Sequence, residues 1–245
     1  MKKAQVSEPQ LSVAAFSQRC KTLAVQFGSA VGLRSGEVAF APEISSTVAV
    51  MTLGGRASEM ISRNRGSSHR VVPLASIQED ILIWTGYRES WQKLGSEQNF
   101  RFVEAGFTLH VGRQGELSKP QIMRSEWVGR RSRAFVELAG HPHWQLDVLE
   151  TARAKEPSTP ARFTDVESAS PVKEFGDMPT PANGSNLLLG LTVENMHLAS
   201  SAQWWRLSGS DAAHVPETVS DLDRWILACT VYLRQEASRC RVIPA

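Results

Sequence analysis

Apolar and polar positions alternate most clearly between Phe100 and Glu150, where three strands are predicted at residues 101–111, 121–128 and 143–149. In the first, Val103, Ala105, Phe107, Leu109 and Val111 share one face, while Phe102, Glu104, Thr108 and His110 share the other. In the second, Met123, Ser125 and Trp127 oppose Ile122, Arg124 and Glu126. In the third, Trp144, Leu146 and Val148 read as core, and His143, Gln145 and Asp147 face away. Gly112-Arg113-Gln114-Gly115 predicts a short hairpin turn between the first two strands. Paired as a meander, the three would gather His110, Arg124, Glu126, His143 and Asp147 on one polar face.

The same reading predicts four helices. One covers 11–27, with Phe16, Leu23, Val25 and Phe27 as its apolar positions, Ser12 as a cap and Gly28 at its end. A second covers 74–94, because Ile77, Ile81, Trp84, Arg88 and Trp91 fall near helical spacing between Pro73 and Gly95. Trp84 and Trp91, one heptad apart, read there as core anchors. A third covers 194–207, after a short apolar run at 187–191. The fourth, 219–239, carries the strongest stripe: Leu222, Trp225, Ile226, Cys229, Tyr232 and Leu233, with Thr218 or Ser220 to cap it. Residues 47–53 form a buried β-branched strand, and 32–42 read as a loop.

Between 151 and 186 the pattern stops. Five prolines, at 157, 160, 171, 179 and 181, block helix and central strand alike, so this stretch is expected to be a long irregular Pro/Ser-rich insertion. The chain divides into 1–150 (N-terminal helices and sheet), 151–186 (insertion or linker) and 187–245 (a helical part on the same core). The expected class is α+β: an antiparallel sheet of three to five strands flanked by helices.

Composition narrows the partners. A chain of 245 residues with 42% hydrophobic and 21% charged content can bury one sizeable core. The formal charge of +2 provides no global attraction to nucleic acid or acidic membrane. No stretch has the length of apolar residues needed to span a bilayer, and the N-terminus lacks the apolar region of a secretory signal. A cytoplasmic location is expected. The three cysteines, Cys20, Cys229 and Cys240, show neither metal-ligand spacing nor an even count, and Cys20 and Cys229 sit on apolar helix stripes as structural thiols.

Candidate chemistry lies first on the polar strand face. Glu126, His143 and Asp147, with His110 in support, are the residues a metal-dependent hydrolase or nuclease would use. His141 and His143 add imidazoles, but HEXXH and CxxC are missing, so no metal or cofactor is assigned. The bland alternative is a solvated face of cross-strand ion pairs. A second candidate is the basic loop Arg130, Arg131 and Arg133, joined by Arg124, which could contact DNA or RNA phosphates. Residues 54–68, with Arg56, Arg63 and Arg65 among glycines and serines, offer an anion cradle or a plain solvated loop; Walker and dinucleotide fingerprints are absent. A third candidate is a protein interface. Adjacent tryptophans, Trp204 and Trp205, diverge by about 100° on a helix, so one must find cover outside the first core. The polar strand face could itself dock a partner subunit, with Trp127 or Trp144 near its rim.

Met123-Arg124-Ser125-Glu126-Trp127 with His141-Pro142-His143-Trp144, followed by a helix carrying Trp225 and Tyr232-Leu233-Arg234-Gln235-Glu236, resembles uncharacterised bacterial proteins encoded beside phage-defence or mobile-element machinery. That resemblance spans about half the chain and carries over no catalytic residue. It implies an accessory subunit beside a nuclease, ATPase or sensor. The reading that follows is a non-enzymatic accessory or scaffolding subunit of a cytoplasmic hetero-oligomeric assembly, with the hydrolase and the nucleic-acid module as alternatives.

Overall fold

The computed structural model describes residues 8–62, 69–77, 80–95, 99–129, 132, 142–146 and 215–239. Along them run β1 (Gln10–Ser12), α1 (Val13–Val31), β2 (Ala39–Ile44), β3 (Val48–Gly54), β4 (Glu59–Ile61) and β5 (His69–Ser76). Then come β6 (Ile81–Lys93), β7 (Asn99–Arg113), β8 (Gln121–Val128), β9 (His143–Leu146) and α2 (Val219–Arg239). The described fold is mostly antiparallel sheet with few helices.

The spine is the long hairpin β6–β7, paired from Ile81↔Arg113 to Lys93↔Phe100. Each of its outer edges is shared. On the β6 side, β3 pairs with Arg88 to Gln92 and β5 with Leu82 to Gly86. On the β7 side, β8 pairs with Glu104 to His110 and β1 with Asn99 to Arg101. β2 extends from β3, β4 from β5 and β9 from β8, making one nine-stranded sheet rather than three to five strands.

The described residues of 74–94, read from their spacing as a helix, belong mainly to strands, 74–76 in β5 and 81–93 in β6. Ile81, Ile83, Tyr87 and Trp91 point into the main core, and Trp84 joins Ile61 and Val71 in a small second cluster behind the sheet. Seven residues return to the same face of a helix but to opposite faces of a strand. Trp84 and Trp91 are both core anchors, but in different cores. Residues 81–87 are dominated by β-branched and aromatic side chains, which fit a pleated surface. Pro73 sits in β5 at a register shift rather than in a first helical turn. The stretch 32–42, expected as loop, ends in β2.

The two other expected helices that lie among the described residues form. Ser12 caps α1 by accepting from the Ala15 N–H at 3.2 Å, and the helix runs on past Gly28 to Gly32, which closes it at φ 79°. Phe16, Cys20, Leu23, Phe27 and Val31 form its buried stripe, whereas Val25, two residues from both Leu23 and Phe27 and so on another side of the helix, is exposed. At the start of α2, Thr218 Oγ1 accepts from the Asp221 N–H while Asp221 Oδ2 accepts from the Thr218 N–H, a reciprocal cap. Arg19 bonds to Asp223 at one end of the helix pair and Arg234 donates to the Ala30 carbonyl at the other, so the two helices lie side by side in the same direction. Trp225 of α2 meets Phe107 and Trp127 edge-on, at centroid distances of 5.2 and 5.5 Å.

Residues 151–186, 187–191 and 194–207 lie outside the described residues, as do 63–68 of the anion-loop candidate. Arg56 of that loop is exposed.

Candidate functional site

The meander forms as expected and keeps Arg124, Glu126 and His143 at neighbouring register positions, but it sets His110 apart from them. Glu126 lies opposite Gly106 and His143, and Arg124 opposite Thr108 and Gln145. His110 lies four residues along β7 from Gly106, or roughly 13 Å at ordinary strand rise. It is therefore separated from Glu126 and buried at 1% exposure, rather than meeting it on an open face. Arg124 and Glu126 instead pair with each other at 3.2 Å, both more than a third exposed. Such a pair contributes between about 0 and 1 kcal/mol. Ile122, expected beside Arg124 and Glu126, belongs to the main core with Met123. A register shift near Leu109 and His110 inserts it as an extra residue and reverses its face.

Trp127 is wholly buried against Trp225, which corrects its expected place at an interface rim. Trp144 packs, half-buried, against the same core. The His143 side chain lies outside the described residues, as do Arg130, Arg131, Arg133, His141, Asp147, Trp204 and Trp205.

A charged cluster that periodicity did not reveal joins α1, β6 and α2. Arg19 Nη1 and Nη2 donate to Glu89 Oε2 and Oε1 at 2.6 and 2.8 Å, a bidentate pair in which Glu89 is 0% exposed. The Tyr87 hydroxyl donates to Oε1 and the Trp91 indole to Oε2 at 2.9 Å, so each carboxylate oxygen accepts twice. Arg19 Nε also donates to Asp223 at 2.7 Å. Burial alone would push the Arg19 guanidinium down, but Glu89 and then Asp223 more than reverse that and hold it above its ordinary value. Burial, aided by the Glu89 charge, keeps the Tyr87 hydroxyl protonated well above its usual range. Burial also raises Asp223, which Arg19 only partly offsets. Every acceptor on Glu89 is engaged, so the cluster is built to hold three elements in register. The signal in the sequence was one acidic residue among the inward positions of β6, visible once that stretch is read as a strand.

Behind the sheet lies a second polar cluster. His69 Nε2 and His110 Nε2 are 3.2 Å apart, and His110 Nδ1 lies 3.0 Å from the Lys119 carbonyl. Thr108 Oγ1 is 3.4 Å from His69 Nε2. Close by, the buried Lys119 ammonium pairs with Glu59 at 2.7 Å and stands 4.4 Å over the Trp84 ring. His69 was not among the expected site residues; 41 residues separate it from His110 in the chain.

At the other end of β6 and β7 a groove of about 410 Å³ opens between Val48, Gln92, Arg101, Val103 and Ser132, over the strand positions of Trp91 and Phe102, whose side chains are buried in the main core. Arg101 Nη2 donates to Gln92 Oε1 at 2.7 Å along its rim, and Val48 is 38% exposed.

Among the described residues, no three His, Cys, Asp or Glu side chains gather closely enough to hold a metal ion by themselves, and no helix is long and apolar enough to cross a membrane. Compared with protein-family models, curated proteins and solved structures, the chain matches none.

Proposed function

We propose that this chain is a non-enzymatic accessory subunit of a cytoplasmic bacterial assembly, and that it docks a partner protein at the groove beside β3, β6 and β7. The groove is the observation that carries this reading. It presents an exposed aliphatic residue in Val48, a half-buried one in Val103, and an arginine–glutamine pair on its rim. An apolar centre with a polar, arginine-bearing edge is the anatomy of a protein interface. The arrangement of Glu126 supports the same reading: its carboxylate is held by Arg124 and stands far along the sheet from His110.

The test is recovery of the tagged chain from its host, with the intact complex weighed, for the natural protein and for Val48→Glu. The expected result is a heteromeric complex of defined mass that the glutamate disperses while the free chain stays folded. A monomer, or a complex that Val48→Glu leaves intact, would overturn the assignment of the groove.

A further inference from the structure

We infer that His69 and His110 form a binding site for a borderline divalent transition-metal cation such as Zn²⁺, Co²⁺ or Ni²⁺, pinning β5 to β7 across β6. The argument begins with tautomers. The Lys119 carbonyl can only accept, so the neutral His110 ring carries its proton on Nδ1, 3.0 Å away, and presents a lone pair at Nε2. A second-ring-nitrogen bond to a backbone carbonyl is the support that orients metal-binding imidazoles and makes them better donors.

The spacing agrees. Two nitrogens each about 2.0–2.1 Å from one tetrahedral zinc ion stand roughly 3.3 Å apart. His69 Nε2 and His110 Nε2 are 3.2 Å apart. Thr108 Oγ1, 3.4 Å from His69 Nε2, sets an oxygen on the same side. Imidazole nitrogens select zinc, cobalt, nickel or copper over magnesium and calcium, which favour oxygen cages.

Space for the cluster comes from Gly86. It lies opposite Thr108 on β7 and Val71 on β5, directly beneath the converging groups. A Cβ there would stand 2.5 Å from Thr108 Oγ1 and 3.1 Å from His69 Nε2. Any side chain would therefore force Thr108 Oγ1 aside and press on the ring that reaches over β6. The described residues supply two nitrogens and a hydroxyl, and the half-exposed His69 leaves a way in.

The experiment is equilibrium dialysis of the chelator-treated full chain against Zn²⁺, with Co²⁺ absorption as a second readout of coordination. One ion per chain is expected, with a visible Co²⁺ spectrum from nitrogen ligation. His69→Gln, at a half-exposed position, should weaken binding by at least ~100-fold and abolish that spectrum. His143→Gln and His197→Gln should leave both unchanged. Absence of binding would mean that the two rings share a direct hydrogen bond, and would overturn the site. So would stoichiometric binding that survives His69→Gln or disappears with His143→Gln or His197→Gln. If His110→Gln is used as well, its circular dichroism must match the natural chain before its binding is compared.

Discussion

Arg19 and Glu89 form a bidentate ion pair at 2.6 and 2.8 Å inside the molecule, with side-chain exposures of 6% and 0%. The pair ties α1 to the spine strand β6, and Arg19 passes the link on to α2 through Asp223. Removing one partner leaves the other charged and buried, which costs far more than the pair contributes as a whole. Glu89→Gln is therefore expected to destabilise the fold by about 3–5 kcal/mol. The double change Arg19→Met with Glu89→Gln should recover part of that loss. Urea unfolding of the two single variants and the double variant checks it; a loss in the double variant equal to the sum of the single losses would show that the pair is not coupled.

Alkali should unfold this protein earlier than its charge predicts. Burial, helped by Glu89, raises the Cys20 thiol from 9.0 to about 11, and burial raises Cys229 and Tyr87 well above their ordinary values. Each of these groups keeps its proton in the folded chain where the unfolded chain has lost it. The unfolded state then binds fewer protons, so stability falls as pH rises. For Cys20 the loss begins near pH 9 and is complete by about pH 11. Urea midpoints at pH 8, 9, 10 and 10.5 should decline, and Cys20→Ala should flatten the slope between pH 9 and 10.5. A midpoint independent of pH would contradict this.

Trp127 should behave as core. Its ring is wholly buried and lies 5.5 Å from Trp225, so Trp127→Ala is expected to cost about 3–5 kcal/mol. Thermal unfolding measures it directly. A change within error would return Trp127 to the surface role expected from its place in the strand.

Glu126→Gln tests the opposite kind of residue. The carboxylate is 38% exposed and paired with Arg124, so its loss should change stability by less than about 1 kcal/mol. The same variant should leave partner recovery through the groove unaltered. A complex that disperses on this substitution would place the docking surface on β8 instead.

Much of this architecture could be read along the chain. Both α1 and α2 follow from apolar stripes at spacings of three and four, and β3, β7 and β8 from alternation or a β-branched run. These are consequences of backbone period, which each short segment carries by itself. The stretch 74–94 misled for the same reason. Its tryptophans fit a 3.6-residue period as well as two separate faces of a strand, and a short apolar run does not discriminate between them.

What the chain alone determined, then, was which side chains share a face wherever one period dominates. Tertiary structure decided which faces meet. Arg19 finds Glu89 across 70 residues and Asp223 across 204, and His69 finds His110 across 41. Those encounters depend on β6 giving one edge to both β3 and β5, and on register shifts that turn Ile122 inward. Strand order and register are settled by the closing of the whole sheet over α1 and α2. No local window contains the contacts that reward one pairing over another, because those contacts form only after distant segments have come together.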